Sequence, residues 1–288
     1  MEGVKTGNTD RSQVERSHEM GLHVEQLKGR TQQRFFKPDE EANFTYPDGY
    51  EVDFNKRAEF DAKDLSTKDV NLKIRELMKS GHGTIVIKNP MARHALGVGI
   101  LNRLNLRFEG SLGYFGCGLV DGPNIRISGR VGWSCAENMM SGTVVIEKNA
   151  GSLFGAAIRG GDLVCKGHVG ARTGIDQKGG TILVGGDTGA FSGFMMQRGR
   201  MVICGNAGKN LGDSMYDGMI FVGGTVAELG VDCVPGEMTD LDRAWLERKL
   251  KMYDMLPAKG IGHFKKYVAG KQLWNYDNLE PSEKKLVL

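Results

Sequence analysis

The chain has 288 residues, of which 40% are hydrophobic and 25% charged, with 38 Lys and Arg against 35 Asp and Glu. That length supports one elongated core with appendages, and a net charge of +3 is too small to argue for a nucleic-acid partner. No apolar run approaches the roughly 20 residues of a membrane span, and the polar start Met1–Asp10 lacks a secretory apolar stretch, so no membrane partner is expected and the expected location is the cytoplasm.

Residues 1–45 are polar and charged, with one weak helical patch near Val24–Leu27, and are expected to form a flexible or partner-binding arm. Residues 46–83 read as a cap segment. Within it, Ser66 and Asp69 have capping-box spacing, although Asp replaces the preferred Glu or Gln. Val70, Ile74, Leu77 and Met78 then share one helical face, and Gly81 supplies the stop. This helix is expected to cap whatever follows.

The stretch 84–233 is periodic, with a unit of nineteen positions. The first position of the unit reads Gly110, Gly129, Lys148, Gly167, Gly186, Gly205 and Gly224. Three positions later come Gly113, Gly132, Gly151, Gly170, Gly189 and Gly208, and four after those Cys117, Ala136, Gly155, Gly174, Gly193 and Gly212. Of the 42 glycines in the chain, 28 lie between Gly110 and Gly224, so the excess belongs to the repeat. A period of this size marks a solenoid in which each unit is one coil. Stacked coils set the same corner on itself about 4.8 Å away, which favours glycine wherever φ is positive or backbones approach closely.

Each unit also carries one β-rich run. Ile125, Val144, Leu163, Ile182, Met201 and Ile220 form one apolar column, and Ile127, Ile146, Cys165, Val184, Ile203 and Val222 a second, both expected to face the core. The intervening column, Arg126, Val145, Val164, Leu183, Val202 and Phe221, is apolar in most coils, so something must cover that outer face. A third ladder, Val131, Ala150, Val169, Thr188, Ala207 and Val226, would close the coil where it is narrow. Extending backwards through Asn105–Phe108 and Thr84–Lys88, with His94 at the second-glycine position, gives about seven coils. The expected fold is an all-β right-handed parallel β-helix flanked by short helices.

Residues 234–288 should hold a second amphipathic helix opening at Thr239 and Asp242, with Leu241, Trp245 and Leu250 on its apolar face, ending before Pro257. An aromatic tail follows, with Phe264, Tyr267, Trp274 and Tyr276 among lysines.

The search for chemistry is mostly negative. Cys117, Cys135, Cys165, Cys204 and Cys233 have no cluster-binding spacing, and the six histidines include no pair at metal-ligand spacing. Gly97-Val98-Gly99 and Gly116-Cys117-Gly118 lack the strand–loop–helix context of a nucleotide loop and read as corners. Glu137, Asp176, Asp187 and Asp213 occupy different places in the repeat and read as solvated turns. No catalytic, cofactor-binding or metal residue is therefore expected in this chain. The one candidate site is a contact strip. Beside the inner column Met139, Ile158, Gln177, Met196 and Met215 runs a second column, Met140, Arg159, Lys178, Gln197 and Tyr216, whose varied side chains a partner could read. Trp274 in the tail joins it as a candidate contact.

These in-phase units, with the phrases Ala136–Gly142, Gly155–Gly161 and Gly212–Gly218, resemble the GXGXG β-helix domain that ends the glutamate synthase large subunit, over roughly Asp53–Asp232. The chain looks like that domain's stand-alone form, and is similar to the GXGXG subunits of split glutamate synthases and of N-methylglutamate synthase. The resemblance implies a non-catalytic structural subunit that holds together a glutaminase-like subunit and an FMN- and iron–sulfur-binding synthase subunit in a hetero-oligomer. Formylmethanofuran dehydrogenase has a subunit that shares the coil, so a place in a complex of that type is an alternative. An independent β-solenoid enzyme is a further one, disfavoured by the lack of clustered acids. The resemblance carries over no catalytic residue.

Overall fold

The structure, a computed structural model, describes residues 50–270 together with two short strands, β1 (His23–Val24) and β2 (Gln33–Arg34). These two pair antiparallel with each other, so Val24 lies in a strand where the sequence suggests a helical patch. The rest of the segment 1–45, and Trp274 and Tyr276 of the tail, lie outside the described residues.

The body is a parallel β-solenoid of seven coils. Its sheet runs through β3 (Asp53–Asp61), β4 (His82–Lys88), β5 (Asn105–Glu109), β6 (Asp121–Ile127), β7 (Ser141–Ile146), β8 (Asp162–Cys165), β9 (Lys178–Val184), β10 (Arg198–Ile203) and β11 (Met219–Val222), each parallel to its neighbour. From β5 to β11 the register advances by one sequence repeat per coil, so Ile125, Val144, Leu163, Ile182, Met201 and Ile220 pair in sequence. Both inward columns are buried, as expected. Parallel bridges Val131↔Ala150, Val169↔Thr188, Thr188↔Ala207 and Ala207↔Val226 stack the narrow corner.

The first coil departs from the period. Ile85 pairs with Leu106, a step two positions longer than the repeat. The insertion moves Arg93 to the second-glycine position, where its carbonyl accepts from Gly113 N–H at 2.8 Å. His94, expected there, instead stacks its ring on Tyr114.

The arm opposite the sheet has an unusual backbone. Alternate residues take φ between +54° and +72°, at Phe115, Cys117 and Leu119 in one coil and at Phe191, Gly193 and Met195 four coils on. Their N–H groups point alternately up and down the stack: Phe115 donates to Trp133 O at 2.7 Å, Cys117 to Leu96 O at 2.9 Å, and Leu119 to Glu137 O at 2.8 Å. Each left-handed non-glycine residue costs about 1–2 kcal/mol, offset by the bonds that neighbouring coils impose. Glycine is needed where conformation and space coincide. At Gly180, φ is +67° and a Cβ would lie 2.9 Å from Gly160 C and Gly161 O in the preceding coil.

The first end of the stack is capped by α1 (Thr67–Lys79), which starts at the Ser66–Asp69 capping box and buries Val70, Ile74 and Met78. Asn71 stands in for a missing coil: its side-chain Nδ2 donates to Ala95 O at 2.8 Å, and its Oδ1 accepts from Gly97 N–H at 2.9 Å.

The outer strand face is covered by the chain itself. Beyond β12 (Cys233–Gly236), α2 (Asp240–Met252) lies along Val145, Val164, Leu183, Val202 and Phe221, forming a second core with Leu246, Leu250 and Phe264. The buried residues of α2 are Asp242, Leu246 and Leu250; Leu241, expected on the apolar face, is exposed. Lys249 Nζ donates to Asp162 at 2.6 Å, Tyr253 donates its hydroxyl to the same carboxylate at 2.6 Å, and Lys266 pairs with Asp242 at 2.8 Å. Burial first, then the Asp162 hydrogen bond, pushes the Tyr253 phenol up. The tail then forms β13 (Lys265–Ala269), antiparallel to both β11 and β12, which closes the far end of the sheet.

Candidate partner interface

The contact strip is a regular column. Met140, Arg159, Lys178, Gln197 and Tyr216 each donate N–H to an inner carbonyl of the preceding coil, from Val120 O to Met196 O, all at 2.8 Å, so their side chains leave the solenoid at equivalent points. The inner column beside them, Met139, Ile158, Gln177, Met196 and Met215, is fully buried. Gln177 fits there by donating Nε2 to Gly179 O at 3.0 Å. The strip itself is uneven. Met140 and Arg159 are exposed, whereas Lys178, Gln197 and Tyr216 are half-buried. Asp176 accepts from Gln197 Nε2 at 2.6 Å and pairs with Lys178 Nζ at 2.9 Å, so those two side chains are partly engaged within the chain.

Glu137, Asp176, Asp187 and Asp213, read from the sequence as solvated turns, are not gathered into one cluster. Asp187 belongs instead to a polar ladder on the first-glycine corner. Asn149 Oδ1 accepts from His168 N–H at 3.1 Å, His168 Nδ1 from Asp187 N–H at 2.9 Å, Asp187 Oδ1 from Asn206 N–H at 2.7 Å, and Asn206 Oδ1 from Thr225 N–H at 2.9 Å. Each rung satisfies a backbone donor of the next coil. Asp213 is held by Ser214 Oγ at 2.7 Å and Val231 N–H at 3.2 Å. Among the described residues, no group of three or more His, Cys, Asp or Glu is arranged to hold a metal ion. All five cysteines are free thiols. Burial pushes Cys165 and Cys233 up to about 11 and Cys117 and Cys204 up to about 12. These thiols are small core side chains, far from the low-pKa setting a nucleophile needs.

The GXGXG motif family model matches residues 55–282 of this glycine-paced solenoid. The chain belongs to the GXGXG family. The match extends past the coils and takes in α2 and β13, which cover and close them. No curated protein matches the sequence. Among solved structures, the GXGXG chain resembles one from the formyltransferase/hydrolase complex (FhcABCD) of Methylorubrum extorquens, crystallised with methylofuran. The TM-score is 0.54 and the identity 22%, over 74% of this chain and 86% of that one. At that identity the likeness speaks for the fold. Among the described residues no helix is long and apolar enough to cross a membrane.

One surface feature is not among the candidates read from the sequence. Tyr114 and Trp133, one repeat apart, stack their rings at 5.5 Å, and His94 extends the pile at 4.6 Å from Tyr114. Both Tyr114 and Trp133 are more than half exposed. The signal is the period itself, since two exposed aromatics at equivalent points of adjacent coils must stack.

Proposed function

We propose that this GXGXG chain is a non-catalytic subunit of a multi-subunit enzyme, and that its rigid stack positions catalytic subunits bound to its surface. The observation that carries this reading is the engagement of Asp187, His168 and Asp213 in bonds that hold the coils together. The more specific reading is a complex of the glutamate synthase type, with N-methylglutamate synthase the form that the resemblance of the repeat phrases favours. A glutaminase-like subunit and an FMN- and iron–sulfur-bearing synthase subunit would then supply the chemistry. The fold likeness to a chain of a formyltransferase/hydrolase complex supports a second reading, in which the partners transfer and hydrolyse formyl groups.

Affinity purification of the full chain from its native cells, followed by mass spectrometry and a flavin spectrum, separates these readings. Co-purification of a yellow complex that forms N-methylglutamate from methylamine and glutamate is expected. A colourless complex with formyl-transfer activity would select the second reading. A chain that purifies alone and turns over substrate by itself would refute both.

A further inference from the structure

Of the twelve large hydrophobic residues exposed among the described ones, six fall between residues 91 and 140: Met91, Leu101, Tyr114, Leu119, Trp133 and Met140. The stack brings them onto the first turn arms. Tyr114 and Trp133 sit side by side at the start of adjacent arms. Leu119 ends the same arm as Tyr114, and Met140 follows it in the next coil, its N–H on Val120 O at 2.8 Å. Between these corners a Cβ on Gly118 would lie 2.8 Å from the Phe115 ring, so that ring covers the backbone and keeps the span apolar.

This surface is not required by the coil. One to four repeats further on, the Trp133 position holds Ser152, Ala171, Ala190 and Lys209, and the Leu119 position holds Asn138, Ala157, Asp176 and a half-buried Met195, in coils with the same backbone and the same hydrogen bonds. On the arms, the exposed large apolar residues are therefore confined to the first ones, whereas Phe191 and Met195 on a later arm are half-buried. Contiguous exposed apolar surface with aromatic residues at its centre is characteristic of protein interfaces. The rim is basic. Arg103, Arg130 and Arg159 are exposed and make no ion pair among the described residues, whereas the nearby Asp121 carboxylate is already engaged by the Ser141 hydroxyl.

The geometry points to a protein-docking surface on the first turn arms, centred on Tyr114 and Trp133, for a subunit that presents an apolar centre ringed by carboxylates. This rests on the reading of the chain as a subunit of an assembly, and it shifts the contact from the full strip to its beginning, where Met140 and Arg159 lie.

The test uses the full chain purified with its bound subunits. Hydroxyl-radical oxidation of Tyr114, Trp133 and Met140 should fall roughly tenfold in the complex relative to the free chain, as expected for a desolvated interface centre, while exposed Met252 on α2 stays unchanged. Two variants, Tyr114→Ala with Trp133→Ala, and Arg130→Glu with Arg159→Glu, should each lower partner recovery roughly tenfold without changing the melting curve. Should the aromatic variant misfold, the charge variant, which alters only exposed groups, decides. Wild-type recovery by both variants, or unchanged oxidation within an intact complex, would overturn the docking surface while leaving the assembly reading standing. Failure of any subunit to accompany the wild-type chain would overturn both. Protection removed by nuclease, or present in the free chain and lost on deleting residues 1–48, would assign the surface to nucleic acid or to the chain's own terminus and would also overturn it.

Discussion

Replacing Gly180 by alanine tests the account of the glycine ladder at a point where conformation and space coincide. With φ at +67°, any L-residue there incurs about 1–2 kcal/mol of left-handed strain. The new methyl would also meet Gly160 C and Gly161 O at 2.9 Å, and Gly161 O is fixed by the Thr181 N–H at 2.9 Å, so the obstacle is backbone that cannot rotate away. Overpacking of this kind adds about 1–3 kcal/mol, for a total loss of about 2–5 kcal/mol. The control is Ala157→Gly, at a position that already holds a non-glycine residue at φ +54°. There, relief of strain and the greater freedom of the unfolded chain roughly cancel, so the change should stay within about 0.5–1 kcal/mol. Urea unfolding followed by circular dichroism reads both as shifts in midpoint at constant slope. A Gly180→Ala protein within about 0.5 kcal/mol of the parent would refute the claim that neighbouring backbones dictate glycine.

Asp162→Asn should weaken the docking of α2 by about 1–3 kcal/mol, because it leaves the mostly buried Lys249 ammonium without its carboxylate. Adding Lys249→Met should recover part of that loss in the same urea assay, and no recovery would argue against the pair. Burial tends to raise the Asp242 carboxyl, but Lys266 and the Thr239 N–H and hydroxyl outweigh it and hold the group below the usual carboxylate range. A depressed folded value means the stabilisation is complete above the unfolded pKa of about 4 and is lost as pH falls through the lower folded value. Acid titration of α2 docking below about pH 4 should therefore lose part of its slope in Asp242→Asn, and an unchanged curve would exclude this carboxylate. At pH 8, thiols with pKa values of about 11 are ionised to about one part in a thousand, so Ellman's reagent should label Cys165 and Cys233 only after unfolding. Fast labelling of the native chain would contradict their burial.

Much of this fold is legible in the period because repetition turns one uncertain strand into a column of mutually supporting ones. Ile125 alone says little; Ile125, Val144 and Leu163 at one spacing define a face. The apolar column from Val145 to Phe221 requires a cover, and α2 supplies it, which removes that face as a reason to invoke a partner. What escapes a sequence reading has physical causes. Strand β3, with Lys56 and Arg57 among its exposed residues, lies at the sheet edge and carries no apolar alternation. Residue type assigns Leu241 inward, but the capping box places Asp242 against Lys266 and turns Leu241 to solvent. The left-handed residues Phe115, Arg172 and Met195 have no compositional signature, because adjacent coils impose their conformation. The candidate contact strip is legible as a column, but how Asp176 occupies Lys178 and Gln197 depends on side-chain reach between coils.

The placement of α2 has a further consequence for how such chains change length. Its 13 residues measure about 20 Å, and the five strands it covers, β7 to β11, span about 19 Å. The Asp242 end is anchored to Lys266 on β13 and the Tyr253 end to Asp162 on β8. The helix thus acts as a gauge block. A whole extra coil inserted between β8 and β11 would leave one anchor out of reach, whereas the same insertion among β4–β6, at the end that bears the exposed aromatic stack, would leave both anchors in place.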